Sequence, residues 1–207
     1  MMPYGSLVEY LLSGQFVCEV TAPEMHQKLA QDDVRNVIDE YLRPLNRRVA
    51  QSEDGAVYFL AWNELTPEIR EQLKQQFSTT MHALLPLLDW MQIVQESLGK
   101  DGTIAPGDTI KLHEFVQKTE DHQGLRQRFG QLAADKFFNS QAEQLDAQAK
   151  TVFKRLKEHG YLTQPHADRQ YYIATGKVDY LIELVRFIKD EENLPVEESS
   201  TQEELWS

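Results

Sequence analysis

Apolar positions along the chain recur with helical spacing in several blocks, separated by short runs that read as extended. Leu7, Val8, Tyr10, Leu11 and Leu12 predict a short helix that stops at Ser13-Gly14, glycine being suited to a helix C-terminus. Phe16 to Val20 reads as a short extended piece. Thr21-Ala22-Pro23-Glu24 reads as a capping box, with Thr21 as N-cap, and predicts a helix to about Ala30. Asp32-Asp33 then predict the cap of the next helix. In it Val34, Val37, Ile38, Tyr41, Leu42 and Leu45 fall within roughly 140° of the helical wheel, and Pro44 interrupts near its end. Val49, the turn Glu53-Asp54-Gly55 and the run Ala56 to Trp62 predict a β-hairpin.

The second part of the chain repeats this grammar without repeating the sequence. Thr66-Pro67-Glu68 predicts a helix start, followed by Ile69, Leu73 and Phe77 at spacing four. A further apolar helix is expected from Met81 to Leu98, with Pro86 as a kink or break. Gly99 to Asp108 reads as a loop, and helices are expected over Thr109 to Lys118 and Leu125 to Phe138. Leu145, Ala149, Val152, Phe153 and Leu156 form one stripe spanning about 100°, ended by Gly160. Tyr161 to Thr163 and Gln170 to Ala174, around a turn-rich 164–169, predict a second hairpin. Val178, Leu181, Ile182, Val185 and Ile188 predict a last helix from Lys177 to Asp190.

Helices followed by a two-stranded hairpin, twice over, predict a mainly α chain of tandem winged-helix domains. The expected boundaries are 1–63 for the first, 64–189 for the second with its leading linker helices, and 190–207 for an acidic tail. That tail carries seven acids and no Lys or Arg, and its few apolar residues cannot offset its ordering entropy, so it is expected to be disordered. The net charge of the chain is -12; without the seven tail acids, 26 acids stand against 21 bases, a balance of -5. A mildly acidic body argues against indiscriminate coating of duplex DNA, which rests on neutralising phosphates, but leaves room for a local basic patch.

No apolar run approaches the roughly 20 residues that span a bilayer, and the N-terminus lacks the pattern of a secretion signal. The single cysteine, Cys18, has no partner for an internal disulfide and reads as a small buried hydrophobe. A cytoplasmic location follows. The sequence contains no phosphate-binding glycine loop and no nucleophile elbow. His113-Glu114 starts like a zinc-protease motif, but Gln117 stands where the second histidine would be, and the six histidines form no i, i+4 pair. No catalytic residue, metal or cofactor is expected. Two constellations remain. Lys150, Lys154 and Lys157 share about 60° of the helix before the second hairpin, with Arg155 on the other flank; this is the recognition-helix position of a winged helix, and with Lys177 these lysines are the candidate nucleic-acid contacts. The competing reading is a solvated face, which Asp146 and Glu158 on the same helix favour over DNA contact. Tyr58, Phe59, Trp62, Trp90, Tyr171 and Tyr172 read mostly as core, with a minority free to face partners.

The order of elements resembles the MukE/MksE family, kleisin-associated subunits of bacterial condensin-type SMC complexes. The likeness is carried by Val37-Ile38-Asp39-Glu40-Tyr41-Leu42 through Arg47-Arg48-Val49 to Gly55-Ala56-Val57-Tyr58-Phe59-Leu60, by Val152-Phe153-Lys154-Arg155-Leu156-Lys157-Glu158-His159-Gly160-Tyr161-Leu162, and by the acidic C-terminus. The resemblance implies a homodimeric, non-enzymatic adaptor that grips a kleisin of MukF/MksF type and acts with an SMC ATPase of MukB/MksB type on the nucleoid. DNA contact within the complex would serve chromosome looping and segregation or, in plasmid-defence relatives, restriction of plasmid DNA. The competing expectation is a dimeric winged-helix transcription regulator, which a net-basic reading surface would favour.

Overall fold

The computed structural model describes residues 4–192, apart from the side chains at positions 76, 79 and 189–192. It is mainly helical, with two small antiparallel sheets of three strands each. In chain order the first part contains α1 (Gly5–Leu12), β1 (Val17–Cys18), α2 (Pro23–Leu29), α3 (Asp32–Leu42) with a 3-10 turn at Arg43–Leu45, and the hairpin β2 (Arg47–Gln51) and β3 (Val57–Trp62). A long helix, α4 (Pro67–Leu98), leads to β4 (Thr109–Lys111), α5 (Leu112–Glu120), α6 (Gln123–Ala134), α7 (Leu145–Glu158), the hairpin β5 (Leu162–Thr163) and β6 (Tyr171–Ala174), and α8 (Lys177–Glu192). The sheets share one topology: the early short strand pairs with the second arm of the later hairpin, giving the orders β1-β3-β2 and β4-β6-β5.

Each sheet has its own core. Leu7 and Leu11 of α1, Leu29 of α2 and Ile38 and Leu42 of α3 close over Val17 and Tyr58. The turn of the first hairpin is fixed by short polar contacts: Ser52 Oγ donates to Asp54 Oδ1 at 2.7 Å and accepts from Val57 N at 3.0 Å, and Asp54 Oδ1 also accepts from Ala56 N. These bonds, that from Ala56 N foremost, hold the Asp54 carboxyl below the usual range, and Gly55 supplies the positive φ the turn requires. The second core is larger and aromatic. Phe115 of α5 meets Phe129 of α6 at 5.1 Å and Phe153 of α7 at 5.4 Å, and Phe153 in turn meets Tyr172 of β6. All five residues of the α7 stripe are buried, as the spacing requires.

The structure departs from the sequence expectations at definite points. Thr21 does not cap α2; its hydroxyl donates to Phe16 O and lies 3.3 Å from Cys18 Sγ, so it braces β1 instead. Asp32 and Asp33 form the first turn of α3 rather than its cap, Asp32 pairing with Arg35. The α3 stripe is only half buried: Val34, Ile38 and Leu42 face the core, while Tyr41 and Leu45 are exposed where the helix gives way to the 3-10 turn. The two helices expected between Thr66 and Leu98 are one helix of 32 residues with Pro86 inside it. Its second half is anchored by Leu84, Leu87, Trp90, Met91 and Val94, and this burial outweighs the one backbone hydrogen bond that proline removes. Thr109 to Lys111, read as helix, is a strand, because Ile110 alternates with exposed neighbours and pairs opposite Tyr172. The segment after Ala134 is a turn in which Asp135 Oδ1 accepts from Phe137 N. The helix expected to stop at Asp190 continues to Glu192, and the rest of the expected disordered tail lies outside the described residues.

Candidate nucleic-acid and partner interfaces

The three lysines of α7 project on its exposed side, opposite the buried stripe. None is a bare charge. Lys150 Nζ pairs with Asp146 at 2.6 Å, Lys154 Nζ lies 3.8 Å from Glu158, and Lys157 donates to Gln164 Oε1 at 3.0 Å. Arg155 also pairs with Glu158, at 3.3 Å. A phosphate approaching this face must therefore compete with Asp146 and Glu158. Such exposed pairs are weak, roughly 0.3–0.5 kcal/mol each, so exchange for phosphate is inexpensive.

Lys177 belongs to a different environment. It opens α8, and its Nζ donates to His159 O at 2.8 Å while lying 5.0 Å from the Phe16 ring and 4.9 Å from the Tyr161 ring. Burial lowers its pKa. It shares with Lys157 a cleft of about 490 Å³ between the two halves of the chain, which Lys150 and Lys154 do not reach. On the cleft wall His159 is held below its usual pKa, first by burial, then by Lys177 and Arg155, against the opposing pull of Glu158. The structure thus splits the four candidates into an exposed face on α7 and an enclosed amine at the junction.

That junction is not legible in the sequence. Gly176 N donates to Cys18 Sγ at 3.3 Å, which brings the start of α8 onto β1. A Cβ at Gly176 would lie 2.6 Å from Val57 Cγ2 and 2.8 Å from Cys18 Cβ. Beside it Phe16, Phe59 and Tyr180 form a three-ring cluster with centroids 5.0 to 5.4 Å apart. At the far end Glu53 N donates to Glu183 Oε1 at 3.1 Å.

A second concavity, about 510 Å³, opens next to the ring cluster and is lined mostly by apolar side chains. Leu12, Phe59, Trp62, Leu65, Leu73 and Tyr180 line it, with Arg47 at its rim. Leu12 and Leu65 are about half exposed. Of the six aromatic residues singled out in the sequence, Tyr58, Trp90 and Tyr172 are buried, and Phe59 and Trp62 face this groove. The groove residues come from α1, β2, β3, α4 and α8, and no single stretch of sequence carries their proximity. Among the described residues no group of three or more His, Cys, Asp or Glu is placed to hold a metal ion, and no helix is long and apolar enough to cross a membrane. No protein-family model matches the chain, and no curated protein matches it.

Proposed function

We propose that the chain is a non-enzymatic adaptor subunit of a condensin-type SMC–kleisin complex, made of two winged-helix units that bind a kleisin of MukF/MksF type. The observation that carries the reading is the doubled topology. A short strand, helices and a hairpin, with the short strand added to the hairpin's second arm, occur twice in one chain. Two such units with an apolar groove between elements of both suit the capture of an extended protein segment. The resemblance to the MukE/MksE family supplies the partners: the kleisin directly, and through it an SMC ATPase that performs the ATP hydrolysis. The adaptor acts as a homodimer in the cytoplasm on the nucleoid, in chromosome organisation or in restriction of plasmid DNA.

The exposed lysines of α7 favour a second reading, a dimeric winged-helix transcription regulator that places this helix in the DNA major groove. The neutralising pairs with Asp146 and Glu158 and the excess of acids over bases weigh against it for the isolated protein. Under the adaptor reading these lysines meet phosphates only within the assembled complex.

Co-expression with a neighbouring kleisin gene and a long coiled-coil ATPase gene tests the proposal. An affinity tag on this chain recovers both proteins if the reading is right. Recovery of this chain alone, together with a sequence-specific footprint on an operator, selects the regulator. Within the complex, a triple Lys→Glu change at positions 150, 154 and 157 should weaken DNA binding. It should also flatten the slope of log affinity against log salt by about 0.9 for each phosphate that is no longer neutralised.

A further inference from the structure

The cleft of about 490 Å³ between the two halves collects hydrogen-bond donors that the fold itself does not use. Two of them are ammonium groups. Lys177 Nζ spends one N–H on His159 O, and among the described residues it has no second acceptor and no carboxylate partner. Lys157 Nζ spends one on Gln164 Oε1 and likewise has no carboxylate among the described residues. Around them stand Tyr10, Gln15, His159 and Thr163, whose side-chain polar atoms make no hydrogen bond among the described residues. The lining holds one carboxylate, Glu158, and Lys154 and Arg155, which do not line the cleft, draw on it at 3.8 and 3.3 Å. Burial of an ammonium without a counter-charge disfavours its charged form, and the Lys177 pKa is lowered accordingly. An anion beside it offsets that cost.

The charge balance selects an anion, and the donors select which one. A terminal phosphoryl group carries close to two negative charges at pH 7 and presents three strong acceptor oxygens, which suits two ammoniums and several neutral donors. A carboxylate brings one charge and two oxygens. The cleft lies in the size range of small-molecule sites, roughly 300–1,000 Å³, so it has room for an organic group against the rings of Tyr10 and Phe16. An internal phosphate of duplex DNA carries a single charge and is flanked by sugar on both sides. The exposed lysines of α7 suit such a phosphate better than the Lys177 ammonium, which is walled by the rings of Phe16 at 5.0 Å and Tyr161 at 4.9 Å. We propose that the cleft binds the terminal phosphate of a small organic phosphomonoester, with Lys157 and Lys177 on the phosphate oxygens. Tyr10, Gln15 and Phe16 come from the first half of the chain and the lysines from the second, so the bound ligand braces the junction. The site does not depend on the adaptor reading and stands whether or not the partner is a kleisin.

Calorimetric titration of the full chain with AMP, in phosphate-free buffer, tests the proposal. AMP should bind, inorganic phosphate should compete with it, and adenosine, which lacks the phosphate, should bind at least about tenfold more weakly. Lys177→Met, which keeps an apolar stem, and Lys157→Gln should each weaken AMP by at least about tenfold. Lys157 is exposed, so its variant decides the matter even if Lys177→Met does not fold. Lys111→Gln removes an exposed charge from β4, the strand of the second sheet farthest from Thr163, and should leave the affinity within about twofold. No binding of AMP up to about 10 mM, weaker than any specific affinity the site needs, overturns the proposal. So does adenosine binding as well as AMP, or equal weakening by the Lys111 and Lys157 variants. Binding of a short DNA duplex without terminal phosphates, lost in both cleft variants, would assign the cleft to the nucleic-acid backbone and overturns it too.

Discussion

Gly176 is where the two halves of the chain meet most tightly. No positive φ explains a glycine at this position; space does. A methyl group there would press on Val57 and on Cys18, both anchored to the strands of the first sheet. Gly176→Ala should therefore cost about 1–3 kcal/mol, the usual range for forced overpacking, and urea unfolding would measure it. An unchanged midpoint would mean that the junction gives way freely. Cys18, expected from its apolar flanks to be a small buried side chain, is buried, and its sulfur also accepts the Gly176 amide. Glu183 works against the same junction. Burial first, and then the charges of Asp54, Glu53 and Asp179, raise its pKa above the ordinary 4.5, although the hydrogen bond from Glu53 N opposes this. A carboxyl with a raised folded pKa binds more protons folded than unfolded, so it subtracts stability as pH rises through that window. Glu183→Gln keeps an oxygen for Glu53 N and removes the charge. The variant should be the more stable at pH 7, and the advantage should fade as pH falls below the ordinary glutamate value. A variant less stable than its parent at pH 7 would contradict this account.

Among the elements, those with strong periodicity are legible in the sequence and those decided by pairing or competition are not. The α7 stripe is plain because five buried residues at helical spacing leave little choice. Both hairpins can be read from Asp54-Gly55 and from the turn-rich 164–169. β4 escapes such a reading because three residues carry no usable period, and only pairing with β6 makes Thr109–Lys111 a strand. Capping residues mislead because a side-chain oxygen has several suitors: Thr21 turns to Phe16 O, and Asp32 to Arg35. The exposed lysine face is legible as a wheel pattern. Its partners are only half so: Asp146 and Glu158 stand one turn from Lys150 and Lys154, whereas Gln164 reaches Lys157 from the following hairpin. The continuity of α4 across Pro86 shows burial overriding propensity. Proline there leaves the His82 carbonyl without its helical donor. Pro86→Ala should restore that bond and raise stability by about 1 kcal/mol or more, visible as a higher Tm. A lower Tm would mean that the proline ring itself contributes more to the folded state than the restored bond.

For the whole molecule, the repeated topology and the shared junction matter more than any single site. The Phe16–Phe59–Tyr180 cluster, the hydrogen bond from Gly176 N to Cys18 Sγ and the Lys177 ammonium beside the Phe16 ring tie the second half of the chain to the first at the start of α8. The groove and the cleft lie on either side of this tie, each lined from both halves. A binding surface assembled from five elements has no sequence motif, so neither the groove nor the junction is visible until the fold brings those elements together. The adaptor account requires that such a surface hold a kleisin segment, burying apolar area on both chains. Titration calorimetry of the purified protein with a purified kleisin of MukF/MksF type tests this most directly. The account predicts association at micromolar or tighter affinity with a large negative heat-capacity change. Absence of binding at tens of micromolar, while the protein alone protects a specific operator, would contradict it.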